Sequence, residues 1–445
     1  MNALRAALRG DLLTPDDADY DRTRQVYNAM IDRRPALIAR CAGAADVVAA
    51  VTFARAEGLP VSVRGGGHNV SGKAVCDGGL MIDLAPMKAC RVDPGCRTAR
   101  AEPGLTLAEF DHDCQAFGLA TPTGIVSPTG IAGLTLGGGI GWLSGKYGLA
   151  CDNVLAADIV TADGRLRTVG ESEHADLLWA IRGGGANVGI VTSLEYRLHP
   201  VGPVLGGGIA FPLAQARRVL RFYESFAREC PDELSANAGF GTLPDGTPFI
   251  GVAVAWCGAL DAGETALKPL RTFETPLGDL IAPMRYVELQ RGGDDGFPRG
   301  RRHYWKAGFL RRLDAGVIDV LVDFASRRPS PHTQIGLQQM HGAAARVAPA
   351  ATAFPHRRDQ WDFLILSQWE RAADDAKNLA WTRELYAAME PHLEHAVYVN
   401  DLGDDEADRV AAAYGDNYGR LAAIKAKYDP DNFFRANQNV APAAP

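Results

Sequence analysis

Three of the four glycine triplets, Gly65-Gly66-Gly67, Gly137-Gly138-Gly139 and Gly183-Gly184-Gly185, fall in the first 205 residues and constrain this chain more than any other feature. A glycine inside a helix or strand costs about 0.5–1 kcal/mol relative to alanine, so three in succession read as a loop. Such a loop lets backbone N–H groups come close to a ligand, most often an anion. The segments around the first triplet read as regular structure. PALIARC is a short strand, AADVVAAVTFARAEG a helix with Val47, Val48 and Val51 on one face, and PVSVR a strand running straight into Gly65. Thr106 and Glu109 form a capping box ahead of a helix expected to bury Leu107, Phe110, Cys114 and Phe117. Pro94-Gly95 and Asp163-Gly164 read as hairpin turns.

After residue 205 a fourth triplet, Gly206-Gly207-Gly208, is the last, and a different pattern begins. Helices (LAQARRVLRFYESFAREC, DDAKNLAWTRELYAAMEPHL) alternate with strands (FIGVAVAWC, WDFLILSQW), with Asp245-Gly246 as a turn. That predicts a separate unit with a mostly antiparallel sheet and flanking helices, hence an α+β protein. The boundaries fall at 1–205 (core about 33–203), 206–400 and a C-terminal segment 401–445, in which DEADRVAAAYGDNYGRLAAIKAKY reads as a helix stopped by DPD. A length of 445 residues suits two or three domains.

Charge and cysteine usage exclude several classes. A net charge of −7 offers no basic footprint for nucleic acid or an anionic membrane surface. No apolar run reaches the ~18 residues of a spanning helix. Arg5, Arg9 and Asp11 interrupt the N-terminal apolar residues, so no signal peptide is read and a cytoplasmic location is expected. The eight cysteines contain no C-x-x-C pair, which points to free thiols rather than a zinc knuckle or a dithiol centre. His392, Glu394 and His395 have ligand-like spacing but no third partner, so no metal is expected. Arg299, Arg301, Arg302 and His303 read as a solvated basic loop.

The triplets match no common nucleotide motif. Every G-x-G-x-x-G frame, whether begun at Gly65, Gly137, Gly139 or Gly183, lacks its last glycine, which argues against a Rossmann site. Gly67 to Gly72-Lys73 copies much of a phosphate-binding loop, but Ala74 stands where a magnesium-binding hydroxyl belongs. What remains is RGGGHNVSG, with His68 directly after the glycines. The residues alone leave two readings open: a loop histidine hydrogen-bonded to backbone, or a nucleophilic imidazole reaching a cofactor held by the same loop.

RGGGHNVSG resembles the flavin-attachment loop of berberine bridge enzyme-like oxidases, in the vanillyl-alcohol-oxidase superfamily with its PCMH-type FAD-binding domain. The likeness continues through TPTGIVSPTGIAGLTLGGGIGWLSGKYGLACDNV, RGGGANVGIVTSLEYRLHP, AFPHR and YDPDNFFRANQNVAP. It thus spans nearly the whole chain in order. The resemblance implies FAD bonded to His68 and held by Arg64, Gly65, Gly66, Gly67, Asn69, Ser71 and Gly72 of the first loop. From the second loop it implies Thr123, Gly124, Ser127, Thr129, Gly130, Gly133, Leu134, Gly138, Gly139 and Trp142. Gly189, Ile190 and Val191 of the closing strand and Asn437 and Asn439 near the C-terminus complete the set. The implied activity is transfer of hydride from a C–OH or C–N bond of a small organic substrate to the flavin, then to O2.

Departures from the family pattern carry information. Ser127 stands where many members attach FAD a second time through cysteine, and a hydroxyl is a far weaker nucleophile than a thiolate, so one link is expected. Cys151 reads as a structural thiol. The family's Y-x-N-Y becomes Tyr398-Val399-Asn400-Asp401. Gln338 aligns with an acidic residue of some members and can orient a substrate but not act as a base. Candidate catalytic groups are therefore Tyr398, Gln338, His341 and Asp401, with a core tyrosine and a structural strand histidine as the plain readings of Tyr398 and His341. Gly130, three residues after Ser127, is read either as an open path for O2 or as a backbone conformation closed to other residues. Loss of the usual bases leaves two alternatives: a flavin-binding protein that sequesters its ligand, and a dehydrogenase using another acceptor. Oligomeric state is unreadable.

Overall fold

The first glycine triplet leaves the edge strand of a small sheet. In the computed structural model, which describes residues 1–444, this sheet runs Asp11–Leu13, Leu37–Arg40, Leu80–Asp83, Val61–Arg64. Pro445, the end of the expected C-terminal segment, lies outside the described residues. The last three strands are parallel, and the helix Ala44–Ala56 packs Val47, Ala50, Val51 and Ala54 into their core. Val48 sits at the flank of that face, only half-buried.

A second, five-stranded antiparallel sheet follows in the order Cys90–Asp93, Thr98–Ala101, Ile190–Arg197, Val154–Val160, Leu166–Val169. Its two hairpins turn at Pro94-Gly95 and Asp163-Gly164, as the dipeptides predict. The capping box forms: Glu109 N donates to Thr106 Oγ1 at 3.3 Å, and Thr106 N donates to Glu109 Oε2 at 2.8 Å. The helix ends at Gln115, so Phe117, expected in its buried face, is 53% exposed beside the turn made by Gly118 (φ +67°).

The second half builds one antiparallel sheet around the strands Val204–Pro212, Pro248–Trp256, Leu234–Thr242, Gln334–Met340, Gln360–Trp369 and Arg302–Leu310, in that spatial order. Helices Ala216–Arg228, Ala315–Ser326 and Asp375–Met389 cover one face. Strand alternation sorts the side chains. Ile335, Leu337, Phe363 and Ile365 enter the core under the helices. Gln338, Leu364 and Leu366 face the opposite way, toward the glycine loops. The single helix expected near the C-terminus is broken. Gly415 (φ +45°) separates Val410–Tyr414 from Tyr418–Tyr428.

The AFPHR segment fastens the two halves together. Ala353 N donates to Arg182 O at 2.9 Å, and Phe354 packs where a Cβ on Gly183 would stand, 2.5 Å from the Phe354 Cβ. Arg357 forms an ion pair with Asp152 at 2.6 Å, with both side chains buried. Removing one member strands a buried charge, typically at a cost of about 3–5 kcal/mol. Arg357→Met is therefore expected to lower unfolding free energy by about that amount, read from urea denaturation of the purified protein.

Candidate active site

The glycine loops and the bare face of the large sheet enclose a cleft of about 1720 Å³, counting the space open to solvent at its mouth. Its wall on the side of the first half of the chain is built where two loops touch. A Cβ placed on Gly66 would lie 2.5 Å from Gly130 N and Cα, and one on Gly130 would lie 2.5 Å from Gly66 N. Gly130 has ordinary extended backbone (φ −73°), so the contact, not its conformation, requires glycine there. The second loop is held against this contact by the start of a helix. Leu107 N donates to Thr129 O at 2.9 Å and Ala108 N to Ser127 O at 3.0 Å.

His68 follows Gly67, whose φ of +64° turns the chain into the cleft. Its ring stacks on Tyr27 at 4.1 Å between centroids, and Tyr27 stacks in turn on His303 at 4.4 Å. His68 Nε2 is buried and has no hydrogen-bond partner, so the backbone-bonded loop histidine is not what forms. Burial, aided by the Arg299 charge, pushes the imidazole down to about 4 and keeps it neutral.

On the opposite wall, Tyr398 Oη accepts hydrogen bonds from Gly139 N and Asn400 Nδ2, each at 2.7 Å. Burial raises its pKa, with the Asp401 charge adding to the effect and the two donors opposing it. A phenol thus remains, its own O–H unclaimed by the protein. Asn400 also donates to Leu134 O at 3.0 Å and fills the space beside Gly137, which explains the glycine at that position. Gln338 Nε2 donates to Ile140 O at 3.2 Å, and among the described residues no donor reaches its Oε1.

Asp401 lines the cleft and stands against Asp362, a residue the motif reading missed. Burial raises both pKa values, and Asp401 beside it raises Asp362 further. Asp362 is the cross-strand partner of Gln338. The visible signal was an aspartate inside the otherwise apolar strand WDFLILSQW, where an unpaired acid is rarely buried.

The cleft brings together Gly65, Gly66, Gly67, His68, Asn69 and Ser71 of the first loop with Gly124, Thr129, Gly130, Gly133 and Leu134 of the second. Asn437, Tyr398, Gln338 and Asp401 join them, and Asn437 Oδ1 is buried without a partner. The other expected residues lie behind this wall. Arg64 turns to Asp83 at 2.7 Å, Gly72 packs on Ile31, and Thr123 Oγ1 accepts from Gln290 at 2.9 Å. Ser127 is held by Asp294, with Ser127 N to Oδ1 at 2.9 Å and its hydroxyl on Oδ2. Gly138, Gly139, Trp142, Gly189, Ile190, Val191 and Asn439 do not line the cleft; Gly138 packs on Phe354 and Tyr398, while Ile190 and Val191 belong to the core beneath the loops.

One expectation is corrected outright and another in part. His341 lines a separate cavity with Cys230, Asp232 and Trp361, because strand parity that turns Gln338 and Met340 toward one face turns His341 to the other. It is not positioned as a base for the cleft. The Arg299–His303 cluster is a solvated loop only in part: Arg299 is exposed, Arg301 and Arg302 are half-buried and His303 is buried. Arg299 Nη2 donates to Gly66 O at 2.6 Å, Arg302 pairs with Asp375 at 2.6 Å, and His303 is buried behind Tyr27.

A histidine after a glycine loop, with Nε2 unpartnered among the described residues, on the wall of a long cleft that Tyr398 and Gln338 also line, fits a flavin held at one end. Comparison with known proteins agrees. Residues 35–170 match the FAD binding domain family and residues 397–441 the berberine and berberine-like family. The chain is 32% identical over 457 residues to (R)-6-hydroxynicotine oxidase of Paenarthrobacter nicotinovorans, covering 98% of this chain and 97% of the relative. It is 31% identical over 447 residues to an FAD-linked oxidoreductase of Dictyostelium discoideum, covering 99% and 97%. The crystal structure of 6-hydroxy-D-nicotine oxidase from Arthrobacter nicotinovorans superposes with a TM-score of 0.90 at 31% identity, covering 98% of each chain. The BBE-like 1 protein of Physcomitrella patens shares the fold, with a TM-score of 0.89 at 23% identity, covering 100% of this chain and 99% of that one. Fold and cleft are those of an FAD-dependent oxidoreductase. The chain belongs to the berberine bridge enzyme-like family of FAD-linked oxidoreductases.

The Gly66–Gly130 contact leaves no room for a methyl group. Gly130→Ala is expected to push the loops apart, costing about 1–3 kcal/mol. It should lower the ratio of flavin to protein absorbance in the purified enzyme.

Proposed function

We propose that this enzyme is an oxidase that carries FAD covalently through His68, takes hydride from a C–OH or C–N bond of a small organic substrate, and delivers the electrons to O2. The observation that carries this reading is His68: neutral, stacked from behind by Tyr27, and unpartnered at Nε2 in the cleft. A relative named as an oxidase supports the acceptor. When bound, FAD supplies the hydride acceptor itself.

The protein's residues do the rest. Tyr398 presents its O–H to a substrate heteroatom, and Gln338 offers a carbonyl oxygen to a substrate N–H or O–H. Leu364, Leu366 and Trp305 give the substrate end of the cleft an apolar wall that excludes water. Ser127, fixed on Asp294, is held as a hydrogen-bonding group, which supports a single covalent link.

Acid-denatured wild type should stay yellow and carry the mass of one FAD, while His68→Ala releases its flavin. Because burial lowers the His68 pKa from 6.5 to about 4, the neutral nucleophile persists as pH falls across that range. Covalent incorporation into apoprotein should therefore keep its rate down to about pH 5. A rate that halves near pH 6.5, or flavin that washes out of wild type, overturns the attachment.

Stopped-flow reduction tests the role of Tyr398. As a hydrogen-bond donor, its loss in Tyr398→Phe should slow flavin reduction by about ten-fold, whereas loss of a general base would cost ~10²–10⁴-fold. Mixing the reduced wild type with air-saturated buffer in the same instrument should show rapid reoxidation. Sluggish reoxidation would make the enzyme a dehydrogenase.

A further inference from the structure

Four rings lie in contact behind the first glycine loop. Tyr27, fully buried, sits between His68 and His303, with ring centroids 4.1 and 4.4 Å away and planes within 24° of parallel. Trp305 meets His303 edge-on at 5.9 Å. No side-chain hydrogen bond orients the middle of this stack. Tyr27 Oη and both ring nitrogens of His303 are buried without a partner among the described residues. The neighbouring backbone and Asn28 hold it instead. Tyr27 N donates to Gly67 O at 2.8 Å, and Ala29 N donates to Arg301 O at 2.9 Å. Asn28 Nδ2 donates to Val70 O at 2.9 Å and to His303 O at 3.0 Å, while its Oδ1 accepts from His303 N at 3.0 Å. Residues 27–29 are thus bound on one side to the loop that carries His68 and on the other to the strand Arg302–Leu310.

Contact through ring faces orients an imidazole in a way that a hydrogen bond does not. A hydrogen bond fixes the ring by occupying a nitrogen on its edge. Stacking fixes the plane of the ring and leaves that edge free, and His68 Nε2 has no partner. The lone pair of a neutral imidazole lies in the ring plane, so the plane sets the direction in which the nucleophile points. A misplacement of about 1 Å at a reacting centre can cost about 10²-fold in rate.

We propose that Tyr27, gripped between His68 and His303, is a positioning residue for flavin attachment: it sets the plane of the His68 ring, and the strand Arg302–Leu310 of the second half sets Tyr27. This rests on the covalent reading of His68 and adds what prepares that residue to react. The bond joins an imidazole nitrogen to the carbon of a ring methyl group of the flavin. Forming it releases one proton from the methyl group and one from the imidazole. The C–H electron pair stays in the flavin as a two-electron reduction, with uptake of those two protons, and O2 removes both electrons and protons as H2O2. Neither Tyr27 nor His303 takes part in these transfers; both act through the orientation of His68.

The test supplies FAD, in air, to full-length protein produced under riboflavin limitation. Two quantities are followed: total flavin bound to the native protein, and flavin that stays with the protein after acid precipitation. Tyr27→Leu should bind flavin as wild type does but attach it about ten-fold or more slowly. Tyr27→Phe should attach it at the wild-type rate, because Tyr27 Oη holds nothing. His303→Leu should slow attachment by a smaller factor, and His303→Phe, which keeps the stack, should match wild type. The His303 pair carries the test if Tyr27→Leu does not fold. Attachment at the wild-type rate by either leucine variant, a Tyr27→Phe protein as slow as Tyr27→Leu, or slowing that only tracks lost flavin binding or a lowered melting temperature would each overturn the inference. Wild type whose bound flavin is extracted by acid would sink the covalent reading itself.

Discussion

Gly66 and Gly130 meet backbone to backbone, at a distance that forbids a side chain on either. That contact sets where the first loop ends and therefore where His68 emerges. It also ties the loop to the helix Leu107–Gln115, because the amides at the helix start hold the second loop in place. Arg299 reaches the same point from the other half of the chain by donating to Gly66 O. Both halves of the chain thus converge on one glycine, and the cleft depends on their agreement.

Convergence of this kind needs rigid support behind it. On one side, Arg357 and Asp152 form a buried ion pair while Phe354 presses against Gly138 and Gly183, so AFPHR works as a clamp between halves. On the other, the buried Lys425 ammonium donates to Asn187 O and Phe434 O, both at 2.8 Å, and pairs with Asp429 at 2.7 Å. That places the C-terminal segment beside the third triplet and brings Asn437 into the cleft wall. A buried charge is tolerated at these two points because its hydrogen bonds are complete.

What the sequence revealed depended on how local the determinant was. The Thr106–Glu109 capping box and the turns at Pro94-Gly95, Asp163-Gly164 and Asp245-Gly246 form as read, since each is decided by a few neighbouring residues. His68, Tyr398 and Gln338 were legible through resemblance to a family. Asp362 was not, because its meaning arises only when strand register sets it beside Gln338 and the chain end brings Asp401 against it. His341 was misassigned for a related reason: proximity in sequence to Gln338 says nothing about parity, and one residue's shift reverses the face. The torsional reading of Gly130 failed, because its φ is ordinary and what demands glycine there is Gly66, a neighbour far away in the chain.

Buried polar groups differ in how fully the protein satisfies them. Arg357 and Lys425, both buried, find partners within the protein. His68 Nε2, Trp305 Nε1, Asn437 Oδ1 and Asp401 Oδ2 do not, and these four residues share one cleft. An unpaired polar atom in a low-dielectric interior costs free energy that folding alone gives no reason to spend. On the proposed reading, the flavin end of the cleft carries the His68 imidazole and the Asn437 amide oxygen, and the sheet side carries Gln338, Asp401 and apolar side chains. This asymmetry gives the cleft a direction, with cofactor chemistry set by the glycine loops and substrate choice set by the sheet.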